Sequence, residues 1–291
     1  MKLRDYLLAF SVPLNWGLGF TIAKAGLSEF PPIFLMGMRF CLTALTLVWF
    51  VSLPRGYLRQ IFWIALIGAT LQYGLTFTGL SMIDASLAVI IIQLEVPFGV
   101  LLAAIIFKEK PGLQRIFGIL VSFAGIILLV GQPSLEGQLL AIVLTGSGAL
   151  VWATGQIMVK RLGNMVNSFS LIAWVGVFSG PQMIIASLLI EDGQWTAVKN
   201  ASWVGWGTVV YLGLIMTALG YGVWYRVLSR NPVSQVMPVL LALPVITMLS
   251  SMVLLGEQPT QAILAGGAVV LAGIGIIVVR REIKRPDQDV V

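Results

Sequence analysis

Glu95 is an acidic residue about ten positions into the apolar run from Ala85 to Phe107, and Val96-Pro97 follows it directly. A carboxylate placed there titrates or binds a cationic group such as an ammonium. Alternatively it serves structure, through a hydrogen bond to a neighbouring helix or a pairing with Arg39. The proline adds a freed backbone carbonyl beside it. Arg39 lies about eight positions into another apolar run. Its planar guanidinium suits capture of a carboxylate, and its long stem equally suits snorkelling to an interface. Gln72, Gln93 and Gln156 offer amides for an amino or a carboxyl group. Trp16, Tyr73, Trp152, Tyr221 and Trp224, with Trp174, sit away from the ends of their apolar runs and offer rings to a planar or aliphatic guest, helix packing being the alternative use. Lys24, close to the end of its run, reads as an interfacial anchor.

These residue types point to binding rather than bond-making. The chain has no histidine and a single cysteine, Cys41, so the usual metal ligand, proton shuttle and disulfide framework are missing. Neither a Ser-Lys dyad nor a metal-ligand cluster appears, and no P-loop. No cofactor or metal is expected, and no enzymatic activity. The net charge of +6 is spread over short gaps between apolar runs and does not form a nucleic-acid footprint.

The elements that hold these groups are set by composition. With 58% hydrophobic and 10% charged residues in 291, the solvent must be lipid. Runs of the length an α-helix needs to cross hydrocarbon divide the chain into about ten spans, at residues 6–27, 31–53, 60–80, 85–107, 113–131, 137–160, 165–190, 202–228, 233–255 and 261–279. The connections carry turn chemistry, as in Glu29-Phe30-Pro31-Pro32, Lys110-Pro111-Gly112 and Gln132-Pro133-Ser134. Trp49, Trp63, Trp195 and Trp203 near span ends read as interfacial belts, and Pro97, Pro181, Pro238 and Pro244 as kinks.

Loop charge alternates. Lys2 and Arg4, Arg55 and Arg59, Lys108 and Arg115, Lys160 and Arg161, Arg226 and Arg230, and Arg280 to Arg285 fall in every second gap, whereas Glu29, Asp84, Glu136, Glu191, Asp192 and Glu257 occupy the others. The positive-inside tendency then puts both termini in the cytoplasm, which requires an even number of spans.

The sequence also repeats itself. Trp16, Gly19 and Lys24 return as Trp152, Gly155 and Lys160 at a shift of 152 − 16 = 136. Glu109 and Glu257 lie 257 − 109 = 148 apart, and the same shift superposes Tyr73 on Tyr221, Ser86 on Ser234, Gly118 on Gly266 and Gly125 on Gly273. It places Leu243 opposite Glu95. The extra residues of the second half are expected around Glu191 to Ala201. The repeat makes the first span part of the fold rather than a cleaved leader. Residues 1–131 form a first five-helix unit, 137–280 a second and 281–291 a cytoplasmic tail. An odd-numbered unit enters the membrane from the opposite side in its second copy, so the expected architecture is an all-α membrane protein of two inverted five-helix repeats around a central cavity. The glycines of the fifth and tenth spans are assigned to packing within the chain, and a monomer is expected.

Trp16-Gly17-x-x-Phe20-x-x-x-Lys24, Arg39-Phe40, and the stretch from Pro97-Phe98 through Phe107-Lys108-Glu109-Lys110-Pro111 to Gly118 and Gly125, echoed from Pro244 to Gly273, resemble the drug/metabolite transporter superfamily, in particular its EamA-type ten-helix members. The resemblance covers nearly the whole chain and is nearest to bacterial amino-acid exporters. It implies a secondary transporter in a bacterial inner membrane, exporting aromatic and other neutral amino acids and related metabolites by alternating access. Its partners are then a small-molecule substrate and the bilayer. Flux down a gradient and proton coupling both fit. A multidrug exporter of lipophilic cations is the alternative within the same superfamily, and a channel or scaffold stands further off.

Overall fold

A computed structural model describes residues 3–108, 111–130, 137–228 and 237–278. Lys2, Glu109, Lys110, Gln132 to Glu136, Arg230, Val233, Ser234 and the tail from Arg280, all used above, lie outside the described residues. Among the described residues there are helices and no strands. In chain order the membrane helices are α1 (Arg4–Gly26), α2 (Pro32–Phe50), α3 (Leu58–Met82), α4 (Ala85–Ile106), α5 (Leu113–Val130), α6 (Leu139–Leu162), α7 (Ser168–Ile190), α8 (Trp203–Trp224), α9 (Val239–Leu254) and α10 (Gln261–Val278). All but α9 are long and apolar enough to cross a bilayer, and the ninth expected span begins outside the described residues. The second half's extra residues form a short helix, Gln194–Asn200, whose Lys199 ammonium lies 5.2 Å from the exposed Trp195 ring.

The two copies interlock. α2 packs on its counterpart α7, α4 on α9 and α5 on α10, while α1 lies against α8 and α9 and, reciprocally, α6 against α3 and α4. Small residues make the closest crossings. A Cβ at Gly118 would stand 2.6 Å from the Gly273 carbonyl oxygen, so the glycines of α5 and α10 are taken up by that pair. A Cβ at Gly68 would stand 3.1 Å from the Gly155 Cα, which brings the backbones of α3 and α6 together.

Where hydrocarbon forbids an unsatisfied helix end, the chain supplies side chains from the other half. The Glu29 carboxylate accepts from the Ser202 amide (2.6 Å) and hydroxyl (2.7 Å) at the start of α8. Glu191 accepts from the Ile33 (2.8 Å) and Phe34 (3.0 Å) amides at the start of α2. Glu257 accepts from the amides of Ala85 (2.7 Å) and Ser86 (3.1 Å) at the start of α4. Negative charge at a helix N-terminus also meets the favourable end of its dipole. The other end of the same dipole rule is met by Lys24, whose ammonium donates to the carbonyls of Leu80 (2.8 Å), Ser81 (3.1 Å) and Ile83 (2.8 Å) at the close of α3. Lys24 is therefore a helix cap, not the interfacial anchor expected. Three of the loop acids, Glu29, Glu191 and Glu257, thus act as ties between the halves.

Two irregularities recur at matching places. α3 contains a π turn at Leu66–Leu71 and α8 one at Tyr211–Leu219, and the shift of 148 carries the first onto 214–219. Such turns are rare and concentrate at functional sites. α4 breaks at Gln93-Leu94, between Ala85–Ile92 and Glu95–Ile106, because the Pro97 ring excludes the usual contact with the Gln93 carbonyl four residues back. In α9 a tight turn, Met237–Leu241, leads into Ala242–Leu254, again with a proline, Pro244, third in the new segment. Helix start and proline thus coincide at 244 − 97 = 147, so local register sets Ala242, not Leu243, opposite Glu95. Pro181, by contrast, sits within a continuous α7.

Candidate functional site

The breaks and π turns surround one cavity of about 600 Å³, the open space at its mouth included. Of the eleven residues singled out in the sequence for binding, eight line it: Trp16 from α1, Arg39 from α2, Gln72 and Tyr73 from α3, Gln93 and Glu95 from the break in α4, Trp152 from α6 and Tyr221 from α8. Leu243 of α9 shares the wall. Three residues fall elsewhere. Trp174 packs against Phe178 with ring centroids 6.5 Å apart and donates its indole N–H to the Ser52 carbonyl at 3.3 Å. Gln156, one turn beyond Trp152, is exposed and off the cavity wall, since the Gly155–Gly68 contact closes the groove between α3 and α6 at that level. Trp224 is buried behind the site among Ala9, Val12 and Val227, its ring 5.9 Å from that of Trp16.

The aromatic part of the wall is continuous. Phe20 stacks on Phe77 at 6.0 Å, Phe77 on Tyr73 at 5.5 Å, and the Tyr73 ring meets Phe40 edge-on at 5.1 Å. Trp16 and Tyr221 lie 5.0 Å apart. Phe20, Thr76 and Phe77 escaped the sequence reading although each is one helical turn from a residue it selected, namely Trp16, Gln72 and Tyr73. Met216 and Ile92 also line the wall, and nothing in their spacing singles them out.

Arg39 is 1% exposed. Its Nε donates to Thr217 Oγ1 at 2.9 Å, and its Cζ lies 4.7 Å from the Tyr73 ring centroid and 5.4 Å from that of Phe40. Burial across the bundle rules out snorkelling as its role. Glu95 and Arg39 share the wall without forming an ion pair, and among the described residues the Glu95 carboxylate has no hydrogen-bond partner. The Gln72 amide donates to Thr76 Oγ1 at 3.1 Å and leaves its buried oxygen unmet. An acceptor left without a partner in a closed site is costly, and the wall presents unmet acceptors at Glu95 and Gln72 beside the donors of Arg39.

The π turn of α8 adds a layer of fixed polar contacts behind this wall. Its carbonyls accept from Thr43 Oγ1 at Gly213 (2.9 Å), Asn15 Nδ2 at Ile215 (2.8 Å) and Trp16 Nε1 at Met216 (3.1 Å). The Tyr211 hydroxyl in turn donates to Asn15 Oδ1 at 3.0 Å.

An all-helical, multi-pass membrane protein with inverted halves closing on a polar and aromatic cavity is the arrangement of a secondary transporter. The EamA-like transporter family matches residues 3–131 and 139–279, and the chain belongs to that family. It is a transporter of the drug/metabolite superfamily, not an enzyme. It is 32% identical over 98% of both chains to a protein of Salmonella typhimurium named a probable amino-acid metabolite efflux pump. A protein of the same name from Escherichia coli is 30% identical, over 95% of each chain. A chain of known crystal structure shares the fold, with a TM-score of 0.65 at 19% identity over 95% of this chain and 96% of that one.

Proposed function

We propose that this transporter exports amino acids, aromatic and other neutral ones, with related small metabolites, across a bacterial inner membrane by alternating access, working as a monomer with both termini cytoplasmic. The observation that carries the reading is a single cavity holding a carboxylate and a guanidinium that are not paired with one another. A zwitterion meets both: its ammonium suits Glu95 and the unmet oxygen of Gln72, its carboxylate suits Arg39, and its side chain suits the Phe20–Phe77–Tyr73 stack. The names of the two relatives above support the same substrate class. Glu95 is also the group positioned to carry a proton in exchange.

Counterflow in proteoliposomes with purified protein tests this. Phenylalanine, tryptophan, threonine or methionine should drive exchange with saturation, whereas exchange driven only by lipophilic cations would reassign the chain to the multidrug branch. Loss of the pH dependence of uptake in Glu95→Gln would place proton coupling at that residue, and unchanged transport across pH would remove it.

A further inference from the structure

Thr217 lies outside every residue set that the sequence pattern selects, and it is 2% exposed in the π turn of α8. Its hydroxyl has one proton, and that proton goes to the Leu212 carbonyl, 2.7 Å away and five residues back. An α-helical threonine bonds the carbonyl four residues back, so the five-residue reach is a product of the π turn. With the proton committed, the oxygen faces Arg39 as an acceptor and receives Nε at 2.9 Å. The Tyr73 ring covers the guanidinium at 4.7 Å, and one η nitrogen lies beside the Met36 thioether at 3.8 Å. The remaining η donors are the ones left for an occupant of the cavity that Arg39 lines.

The repeat supplies an internal control. A shift of 136 places Val175 opposite Arg39, and a shift of 148 places Ala69 opposite Thr217. The first half builds its own π turn, Leu66–Leu71, with Ala69 inside it. A π turn in this fold therefore needs neither the threonine nor the arginine. The pair occurs once, at the cavity, and packing alone does not account for it.

We propose that Thr217 is a positioning residue that fixes the Arg39 guanidinium for recognition of the substrate's carboxylate. This rests on the amino-acid reading above. Removing the hydroxyl frees the guanidinium to rotate about its stem, and the loss falls on ligands that carry a carboxylate, not on those that lack one.

The test compares phenylalanine with phenylalaninamide, which keeps the ring and ammonium and has no carboxylate. In proteoliposome counterflow, Thr217→Val and Thr217→Ala should raise the KM for phenylalanine about tenfold, the usual worth of a hydrogen bond to a charged group, and shift inhibition by phenylalaninamide less than about twofold. Thr217→Ser, which restores the hydroxyl, should return phenylalanine to within about twofold of wild type. Equal losses for the two ligands, or a serine variant as impaired as the valine one, would overturn the proposal in favour of a structural role. Wild-type protein that fails to exchange phenylalanine defeats the amino-acid reading itself. Wild-type exchange with an unaltered Thr217→Val defeats only the positioning role.

Discussion

The two halves of the cavity wall are built on one pattern and carry different chemistry. The first half contributes Arg39, Gln72, Gln93 and Glu95, while the second contributes Trp152, Met216, Tyr221 and Leu243. Opposite Arg39 stands Val175, opposite Gln72 stands Gly220, and, in the local register of α4 and α9, opposite Gln93 stands Leu240. The π turns differ in the reverse sense. That of α8 is bonded by Asn15, Trp16, Arg39 and Thr43 of the first half, whereas that of α3 is bonded, among the described residues, by Thr70 Oγ1 donating to Gln182 Oε1 at 2.7 Å. Duplication therefore explains the scaffold, and its departures mark the site. Polar groups concentrate on one half, and the anchors that read them run across to the backbone of the other.

The sharpest way to break the comparison is to make the wall symmetric. Glu95→Leu gives α4 the apolar side chain that α9 has at the wall in Leu243. Exchange of amino acids should fall by about a hundredfold, the upper end of what a hydrogen bond to a charged group contributes. Stability should be retained or raised, because an apolar side chain in place of a half-buried carboxylate that has no hydrogen-bond partner among the described residues removes a desolvation cost. Counterflow measured beside a thermal melt in detergent checks both. A melt lowered together with transport would instead make Glu95 a structural residue.

A second substitution tests the opposite region, where symmetry is complete. Gly118 and Gly273 belong to the α5–α10 contact, away from the cavity. Gly118→Val forces these helices apart and should cost about 2 kcal/mol by overpacking. The melting temperature should drop, and transport per folded molecule should keep its KM. A change in KM without a change in melting would mean that this pair moves with substrate.

The same contrast explains what the sequence reveals and what it hides. Span lengths and the two shifts are read from hydropathy and identity, and they suffice for an all-helical membrane fold of two repeated halves. The cavity residues were legible where a polar or aromatic side chain sat deep in an apolar run, as with Glu95, Arg39 and Tyr73. Gln156 misled because depth along a helix says nothing about which groove is closed, and here the Gly68–Gly155 contact closes it. The π turns left no composition signal, so Thr217, Asn15 and Thr43 were invisible: each bonds to a carbonyl of the α8 turn. Lys24 was misassigned for a related reason, since its proximity to a helix end concealed the neighbouring end that it caps.

A finer comparison sets Trp16 against Trp152, the duplicated indoles on the wall. Trp16 Nε1 donates to the Met216 carbonyl at 3.1 Å, and among the described residues the Trp152 indole nitrogen has no such partner. Trp16→Phe should therefore destabilise the protein by about 1 kcal/mol, and Trp152→Phe by less than about half of that. Equal shifts in detergent melts would remove the distinction between the two π turns.

The smallest expected effect lies at the end of the bundle where Lys24 and Glu257 meet the turn between α3 and α4. Burial raises the Asp84 carboxyl above the ordinary carboxylate range, the Glu257 charge raises it further, and Lys24 opposes both. Asp84 makes no side-chain bond at the start of α4 to offset this. A folded-state value above the unfolded one means that the unfolded chain ionises first as pH rises. The group then costs stability progressively from its unfolded pKa up to its folded one, and by a constant amount beyond. Asp84→Asn removes that cost, so the variant should melt slightly higher than wild type at neutral pH. The difference should shrink as pH falls through the carboxylate range and vanish once Asp84 is protonated in both states. A gap that stays constant down to acid pH would show that the asparagine acts by capping the helix, and that Asp84's charge has no part in the stability of this end.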